Sequence, residues 1–537
     1  MTKGNLYMYI CFILIAGTFL FSSCEKSQNE TLDTQNEALL SINLEGLEYE
    51  AETELYANTS TSPEKEIPAH IQYVDKDFHI ESQLIPVQEN NAKELTKGLK
   101  QNASAVRKEL VKNVKYKLLV YGDEGNLVAS RDYIYGSETL ESAIVLNTYT
   151  NYTFIVVSSR STSLLPSVQN EKSLSTATVA DVNSDLLYWS KTTKLSKGQN
   201  FLAAILKPKF SEITTTLQMD QTMTGAITAI SNAVFNPVVE KVSLKLSDGS
   251  LIYGTLNTAG KGVTFPALGT GQRTITATPT TLIHDKTSTA SLKFGTLTVD
   301  GETKSNITVS NLSIKPGYRY NLILTLKTCT EAVNGTNGFN WEFEEIKKTI
   351  NEGTWWNPKN VTYTGINFDA NTFKKNGEVI SFQYTEVGAD YGFVYDILEL
   401  DNAFNLEVND QPLFGTNVST NDIQFQNNAT LTTQNIEFAD GSQYQSNQVA
   451  AIWNLKGTAA KPLVRVVIGR NGDVLIYGSK TSGGELLPLR LKNNAKFNKV
   501  TWNGGNGTNK IKATTRVEGK TVMKSLGSGR RKIPCKD

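Results

Sequence analysis

The sequence predicts an all-β chain built from consecutive sandwich-like units. Apolar and polar residues alternate with period two in many short runs, as in Val114, Tyr116, Leu118 and Val120, the pattern of half-buried strands. Turn pairs such as Asp248-Gly249 separate adjacent runs, and such pairs favour the tight loops of hairpins. Amphipathic helical stretches do not intervene between the runs, which favours packed sheets over an α/β arrangement. With 537 residues the chain exceeds what one core usually serves, so roughly two to four domains are expected.

The first twenty-four residues read as an export signal. Lys3 precedes an apolar run from Tyr9 to Ala16, and Phe19-Leu20-Phe21-Ser22-Ser23-Cys24 follows. A charged start, a short apolar stretch and small residues at its end are the parts of a secretory signal, and the run is too short for a stable membrane span. Cys24 after two small residues resembles a bacterial lipoprotein signal, with Phe21 where leucine is common. That resemblance implies removal of residues 1–23, acylation of Cys24 and anchoring of the exported chain to a membrane by acyl chains. An ordinary secretory signal with an incidental cysteine is the alternative.

Composition narrows the function classes. Basic and acidic residues balance at 53 each, which points to neither a nucleic-acid partner nor another polyanion. The 3 histidines, His70, His79 and His284, are scattered, so a histidine-based metal or catalytic centre has little to draw on. Of the 4 cysteines, Cys11 leaves with the signal and Cys24 carries lipid. Cys329 and Cys535 remain, and in an exported chain they are expected to pair, tying the C-terminal tail to the end of the middle domain. Two free thiols are the alternative.

Residues 24–37 are polar, acidic and aperiodic, which predicts a tether. Leu40, Ile42 and Leu44 alternate with Ser41 and Asn43 as a short strand. The pattern then weakens to about residue 108, apart from a possible strand at 78–88, with loop chemistry at 60–63 and 101–104. From Val114 it is clear: 114–121 and 126–135 form a hairpin around Gly122-Asp123-Glu124-Gly125, and strands follow at 152–158, 184–189 and 200–207. The first domain therefore spans 38–207. A second spans 208–347, with strands at 210–217, 242–246, 251–256, 274–278, 290–299 and 318–326. Within it, 220–234 is the one plausible helix or long loop, 329–337 reads as a connector, and 339–346 closes the unit with aromatics. Alternation recurs through 348–537, notably in Val464, Val466 and Ile468 before the turn Arg470-Asn471-Gly472-Asp473.

Several phrases carry a family resemblance. Lys115-Tyr116-Lys117-Leu118-Leu119-Val120-Tyr121, then 123–130 and 149–157, resemble the N-terminal domain of fimbrillin-type proteins of the Bacteroidetes. Lys209-Phe210-Ser211-Glu212-Ile213-Thr214-Thr215-Thr216 is similar to the segment opening their second domain, and Ile314-Lys315-Pro316-Gly317-Tyr318-Arg319-Tyr320-Asn321-Leu322 to its closing strand. The resemblance covers about 38–347. It implies two tandem transthyretin-like β-sandwiches, an outer-membrane lipoprotein and assembly with other fimbrial subunits into type V pili by β-strand exchange. A sandwich lacking one strand exposes an apolar groove and unpaired backbone groups, and a donated strand restores both. The resemblance further implies removal of an N-terminal strand by an arginine-specific protease. Residues 38–47 are the candidate strand, and Arg107-Lys108, at the first arginine of the chain, is the candidate cleavage site. The leader is longer than a single strand needs, and an ordinary surface arginine is the alternative. Phrases at 390–396, 452–455, 462–468 and 532–535 look like a module appended to fimbrillin-like proteins, which predicts a third, β-rich domain carrying an adhesive or tip role.

Signals of reactive chemistry are weak. Trp355-Trp356, Trp453 and Trp502 offer rings that could stack on sugars. Core filling is the ordinary role for tryptophan. Trp355 and Trp356 are the better ligand candidates, because neighbours on a strand face opposite ways and cannot share one core. Asp390, Asp396, Glu399 and Asp401 could offer oxygens to calcium, but no EF-hand spacing accompanies them, and a solvated loop is the simpler reading. Glycine turns at 469–472 and 504–507 lack the Gly-Lys-Ser/Thr of phosphate loops. Arg530-Arg531-Lys532 reads as an exposed tail. No cofactor, metal or catalytic residue is assigned. A non-enzymatic surface protein for attachment or pilus assembly is expected, with host or microbial glycans or proteins as possible targets. A monomeric surface glycan-binding lipoprotein is the alternative, and a glycan hydrolase with unrecognised carboxylates is a further rival.

Overall fold

The computed structural model describes residues 36–50, 68–87, 106–285, 289–417, 421–427 and 432–536. The expected signal, Cys24 and nearly all of the tether lie outside the described residues. Within them the chain is all-β, and helical structure is limited to three-residue 3-10 turns such as Ile452–Asn454. The stretch at 220–234, expected as helix or loop, instead holds the short strand Ile227–Ser231 between turns.

The first large sheet has eight strands. Its order runs Val106–Lys108, Glu37–Tyr49, Gly198–Pro208, Leu187–Lys194, Asn151–Ser158, Lys115–Tyr121 and Leu127–Ile134, with Ile144–Asn147 also beside Glu37–Tyr49. Tyr116, Leu118, Phe154 and Val156 point into one core, with Leu40 and Ala204. Leu119, Tyr121, Ile155 and Val157 point the other way and are also buried. Burial on both faces explains why Leu118-Leu119-Val120-Tyr121 and Phe154-Ile155-Val156-Val157 read as continuous apolar runs.

The second face is covered by a four-stranded sheet, Leu251–Tyr253, Val242–Lys245, Thr178–Val182 and Val168–Gln169. That sheet crosses the boundary expected at residue 207. The 242–253 hairpin pairs with Thr178–Val182 of the preceding region. Its turn residue Gly249 has φ +68°, and a Cβ there would collide with the ring of Tyr188. The Tyr188 hydroxyl donates to Leu246 O at 2.8 Å beneath it.

The next unit faces a six-stranded sheet against a five-stranded one. The first contains His70–Asp75, Phe78–Pro86, Arg319–Thr328 and Ser211–Met219; the second centres on Ala290–Val299 and Glu302–Leu312. Phe78, Ile80, Leu217, Phe235, Phe294 and Leu322 share its core. The 70–86 hairpin, placed by sequence in the first domain, pairs through Phe78–Pro86 along Arg319–Thr328.

The C-terminal unit packs an eight-stranded sheet against a five-stranded one around Phe393, Tyr395, Phe404, Leu406 and Val466. Its last strand, Thr521–Lys532, pairs with Thr330–Asn337 and Asn340–Phe343. Residues 329–337 are therefore a strand rather than a connector, and 339–346 serves the C-terminal core. Period-two alternation fixes which face a residue takes but not which edge its strand joins, so these sheet memberships were not legible in the sequence.

The second and third units are bound together at several points. Tyr391 is buried in the second core and its hydroxyl donates to Asp300 Oδ2 at 2.9 Å. Arg273 Nη2 donates to the Tyr477 hydroxyl at 3.1 Å. Lys532 reaches Asp77 and Glu302, both at 3.0 Å; within the C-terminal sheet, Arg530 donates to Thr330 Oγ1 at 2.6 Å. The basic run at 530–532 is thus the end of a core strand and its ion pairs, not an exposed tail. Cys329 and Cys535 are disulfide-bonded across 206 residues of sequence, with Cα atoms 5.3 Å apart. Constraining so long a loop contributes about 2–5 kcal/mol. The double variant Cys329→Ser/Cys535→Ser is expected to lose that much in denaturant unfolding. An unchanged midpoint would show that the bond does not constrain the unfolded chain.

Candidate functional site

The segment singled out as exchangeable is the leader strand Glu37–Tyr49. Ala38, Leu40, Ile42, Leu44, Leu47 and Tyr49 are buried in the first core, while Asn43 and Glu45 face solvent. The strand runs parallel to Gly198–Pro208, in register from Ala38 opposite Gly198 to Leu47 opposite Leu206. The register shifts between Leu44 and Leu47. Gly46 sits in that bulge with φ +123°, and a Cβ there would meet Lys108 O at 2.6 Å. Only glycine fits both the angle and the approach.

Among the described residues, the opposite edge of the leader strand is paired only at its ends. Glu37–Leu40 pair with Ile144–Asn147, and Leu47–Tyr49 pair with Val106–Lys108. The strand is therefore held by one full-length backbone ladder, two short ones and its apolar face. Taking it away would leave the Gly198–Pro208 edge unpaired above an open apolar groove, which is what a donor strand needs.

A polar latch holds the far end. The Tyr49 hydroxyl donates to Glu212 Oε2 at 3.0 Å and accepts from Arg160 Nη2 at 2.8 Å. Arg319 Nε donates to Glu212 Oε1 at 3.0 Å, and Arg160 Nη1 lies 3.3 Å from Asp185 Oδ2. Burial pushes the Tyr49 phenol up to about 12, so it stays a neutral donor. Glu212 and Arg319 belong to the second unit, so the latch ties the leader strand to both sandwiches. The Glu50 backbone adds a bond, donating to Gly317 O at 2.9 Å.

Arg107 and Lys108, the expected processing site, lie on the short strand Val106–Lys108 opposite Glu48 and Leu47. The 70–86 hairpin falls between this site and the leader strand in sequence, and it is paired into the second unit. A cut after Arg107 would free the leader strand only as far as that hairpin allows.

The remaining candidates are scattered. Trp355 and Trp356 are 86% and 72% exposed at the turn joining Ile346–Asn351 and Asn360–Asn367, with their rings edge to face at 5.7 Å. Neither serves a core. Trp502 does, stacked on Phe393 and donating Nε1–H to Ala389 O at 2.7 Å. Trp453 is half-exposed on the 3-10 turn Ile452–Asn454. Cys329 and Cys535 lie beside His79, whose Nδ1 is 3.0 Å from the Cys329 sulfur and whose Nε2 is 3.2 Å from Glu81. Three such side chains could ligate a metal, but metal ligation needs thiolates and the disulfide consumes both.

The expected acidic cluster is spread along one strand and its ends rather than gathered in a solvated loop. Asp396 makes a two-pronged pair with Arg465 at 2.7 and 2.8 Å. Glu399 lies 3.1 Å from Lys456 and 3.0 Å from Lys524. Asp401 is buried at the corner where Phe393–Leu400 passes to Ala403–Val408 in the other sheet. Its Oδ1 accepts from Asn402 N at 2.6 Å and its Oδ2 from Val522 N at 3.1 Å. Burial nevertheless pushes its carboxyl up to about 7, outweighing those backbone bonds.

Two outcomes follow from this geometry. Leu40→Ala is expected to destabilise the protein by about 2–5 kcal/mol, as large-to-small core changes do, and Asn43→Ala by less than about 0.5 kcal/mol. Equal losses in denaturant unfolding would contradict the burial pattern. Asp401 keeps its proton in the folded state up to about pH 7, whereas the unfolded chain releases it near the ordinary aspartate value of 3.8. Between those values the native state binds the extra proton, so its contribution falls as pH rises through that window. Unfolding measured from pH 4.5 to 8 should show Asp401→Asn gaining stability relative to the parent protein by a few kcal/mol. A pH-independent difference would contradict the buried, protonated acid.

No protein-family model matches the chain, and no curated protein is detectably similar to it. Among solved structures, the chain is similar to a candidate cell adhesion protein from Bacteroides fragilis, at 12% identity over 46% of this chain and 93% of that one, with a TM-score of 0.27. It is similar to the fimbrial anchor protein Mfa2 from Porphyromonas gingivalis, at 11% identity over 42% and 86%, with a TM-score of 0.26. It is also similar to a candidate polysaccharide-binding protein from Bacteroides thetaiotaomicron, at 12% identity over 39% and 82%, with a TM-score of 0.25.

Proposed function

We propose that the chain is a non-enzymatic, lipid-anchored surface protein of fimbrial type, in which the seat of the leader strand is the place where a donor strand from another subunit docks. The observation that carries this reading is the asymmetry of the leader strand. It contributes six buried side chains to a core, yet among the described residues only the parallel ladder to Gly198–Pro208 holds its backbone along its middle. Parallel pairing is slightly weaker per residue than antiparallel pairing. A donor of the same alternation would satisfy the same edge and the same groove.

A second reading is favoured by the latch and the hairpin. Tyr49, Glu212, Arg160 and Arg319 hold the end of the leader strand against the second sandwich, and the hairpin tethers the chain that follows it. On that reading the protein stays a monomer at the outer membrane and binds its target directly.

Digestion of the full chain with an arginine-specific protease separates the two readings. Strand exchange predicts a new N-terminus at Lys108 and stepwise larger species on a native gel. It also predicts that a synthetic peptide of residues 36–50 blocks their formation. Protein that is cut at Arg107 but remains monomeric, with the leader still bound, would refute exchange and leave the monomeric reading.

A further inference from the structure

The Cys329–Cys535 bond joins the end of Arg319–Thr328 to the C-terminal tail, and both cysteines are partly exposed. A buried imidazole stands against it. His79, on Phe78–Pro86, holds Nδ1 3.0 Å from Cys329 Sγ and 3.8 Å from Cys535 Sγ. Its other ring nitrogen, Nε2, donates to Glu81 Oε1 at 3.2 Å. That hydrogen bond, with Lys327 Nζ 3.4 Å from the same oxygen, holds the Glu81 carboxyl below its ordinary value against the opposing effect of burial. Glu81 is therefore an anion that keeps a proton on Nε2 and turns Nδ1 to the sulfurs. Carboxylate, imidazole and sulfur in that order are the parts by which an oriented histidine activates a thiol. A bond that only ties two segments together needs none of them.

The charged and titratable groups facing His79 are Glu81 on its own strand, Lys327 directly opposite on Arg319–Thr328, and Tyr73 opposite on His70–Asp75. Lys327 is itself 3.6 Å from Asp220. Backbone bonds that do not involve the sulfurs hold the two cysteines together. Cys329 N donates to Asp77 O at 2.9 Å, Ile533 N to Cys329 O at 3.0 Å, and Cys535 N to Lys76 O at 2.6 Å. The thiols of an opened bond stay neighbours on this frame, placed to close again.

We propose that Cys329–Cys535 is an exchange site for small thiols, with His79 assisting the sulfur that leaves and Glu81 positioning the ring. A thiolate R–S⁻ attacks Cys535 Sγ. The bond from R–S to Cys535 forms, the Cys329–Cys535 bond breaks, and its electron pair leaves on Cys329 Sγ, the sulfur nearer His79. Protonated at Nδ1, His79 donates to that thiolate, and a stabilised thiolate leaves faster. A second R–S⁻ then displaces Cys535, giving R–S–S–R, so two small thiols are oxidised as the protein disulfide is reduced. In reverse, neutral Nδ1 takes the proton of the Cys329 thiol. The resulting thiolate attacks R–S–S–R and releases R–S⁻, and Cys535 closes the bond and releases the second. This is a reaction of the chain's own bond rather than turnover of a substrate, and it needs neither strand exchange nor a lipid anchor.

The test uses the full chain, glutathione as the thiol, and mass spectrometry of alkylated peptides to follow opening. The parent should open at least tenfold faster than His79→Gln at pH 6.5, and the first adduct should be glutathione on Cys535, with Cys329 free. From pH 8 to 6 the variant should slow by about tenfold per unit, as the glutathione thiolate is lost. The parent should slow less steeply, because an imidazole gains its proton over the same range. Glu81→Gln should steepen the profile as His79→Gln does, and Glu81→Asp should restore part of the parent's slope, whereas a merely structural Glu81 would leave the slope unchanged. If His79→Gln fails to fold, the adduct position and the slope of the parent decide. The inference is overturned if the first adduct forms on Cys329, if the parent slows tenfold per unit, or if His79→Gln opens as fast as the parent.

Discussion

The structure depends on closing sheet edges with strands from far away in sequence. An open edge carries unpaired N–H and C=O groups, and burying them without partners is costly. Here the first large sheet is completed by Glu37–Tyr49 lying parallel to Gly198–Pro208. The second unit repeats the device, with Ser211–Met219 parallel to Arg319–Thr328. In both cases an opening strand returns to pair with a closing one. Neither ladder can form until the intervening chain has been brought back.

The same constraint interlocks the units. Phe78–Pro86 leaves the leader region and extends the second sandwich, the 242–253 hairpin turns back to the strands that cover the first sheet, and Thr330–Phe343 moves forward to the C-terminal sheet. Tyr391 and the Cys329–Cys535 bond then fasten the C-terminal unit to the second core.

Much of the fold was legible because its signals are local. The hairpins 115–134, 242–253 and 464–479 each place alternating residues on either side of a short turn, so face and partner are specified together. The all-β class and the buried face of residues 38–47 follow from the same periodicity. The partners of isolated strands were not legible, because alternation says nothing about which edge lies nearby in space. Residues 330–337 looked like a connector because Gly, Asn and Thr carry little apolar signal, yet backbone pairing requires none. Of the candidate site residues, the exposure of Trp355 and Trp356 follows from their position at a turn rather than on a strand. Asp401 was grouped with a solvated acidic cluster, whereas the sheet-to-sheet corner buries it. Asn402 gave no signal at all: an Asp-Asn pair between two apolar runs reads as an ordinary turn, whereas the corner buries it with no partner for its carboxamide among the described residues.

The leader strand is a built part of the first sheet, pairing along Gly198–Pro208 and filling its core. Hydrogen exchange on the full chain is the decisive measurement, comparing those amides of residues 39–44 and 199–204 that bond across the ladder between Glu37–Tyr49 and Gly198–Pro208 in the parent protein and in Leu40→Ala/Ile42→Ala. The account predicts that both sets are protected in the parent and that both lose protection together in the variant, while the Lys115–Tyr121 amides stay slow. Leader amides that exchange as fast as surface loops in the parent, with 199–204 still protected, would contradict it.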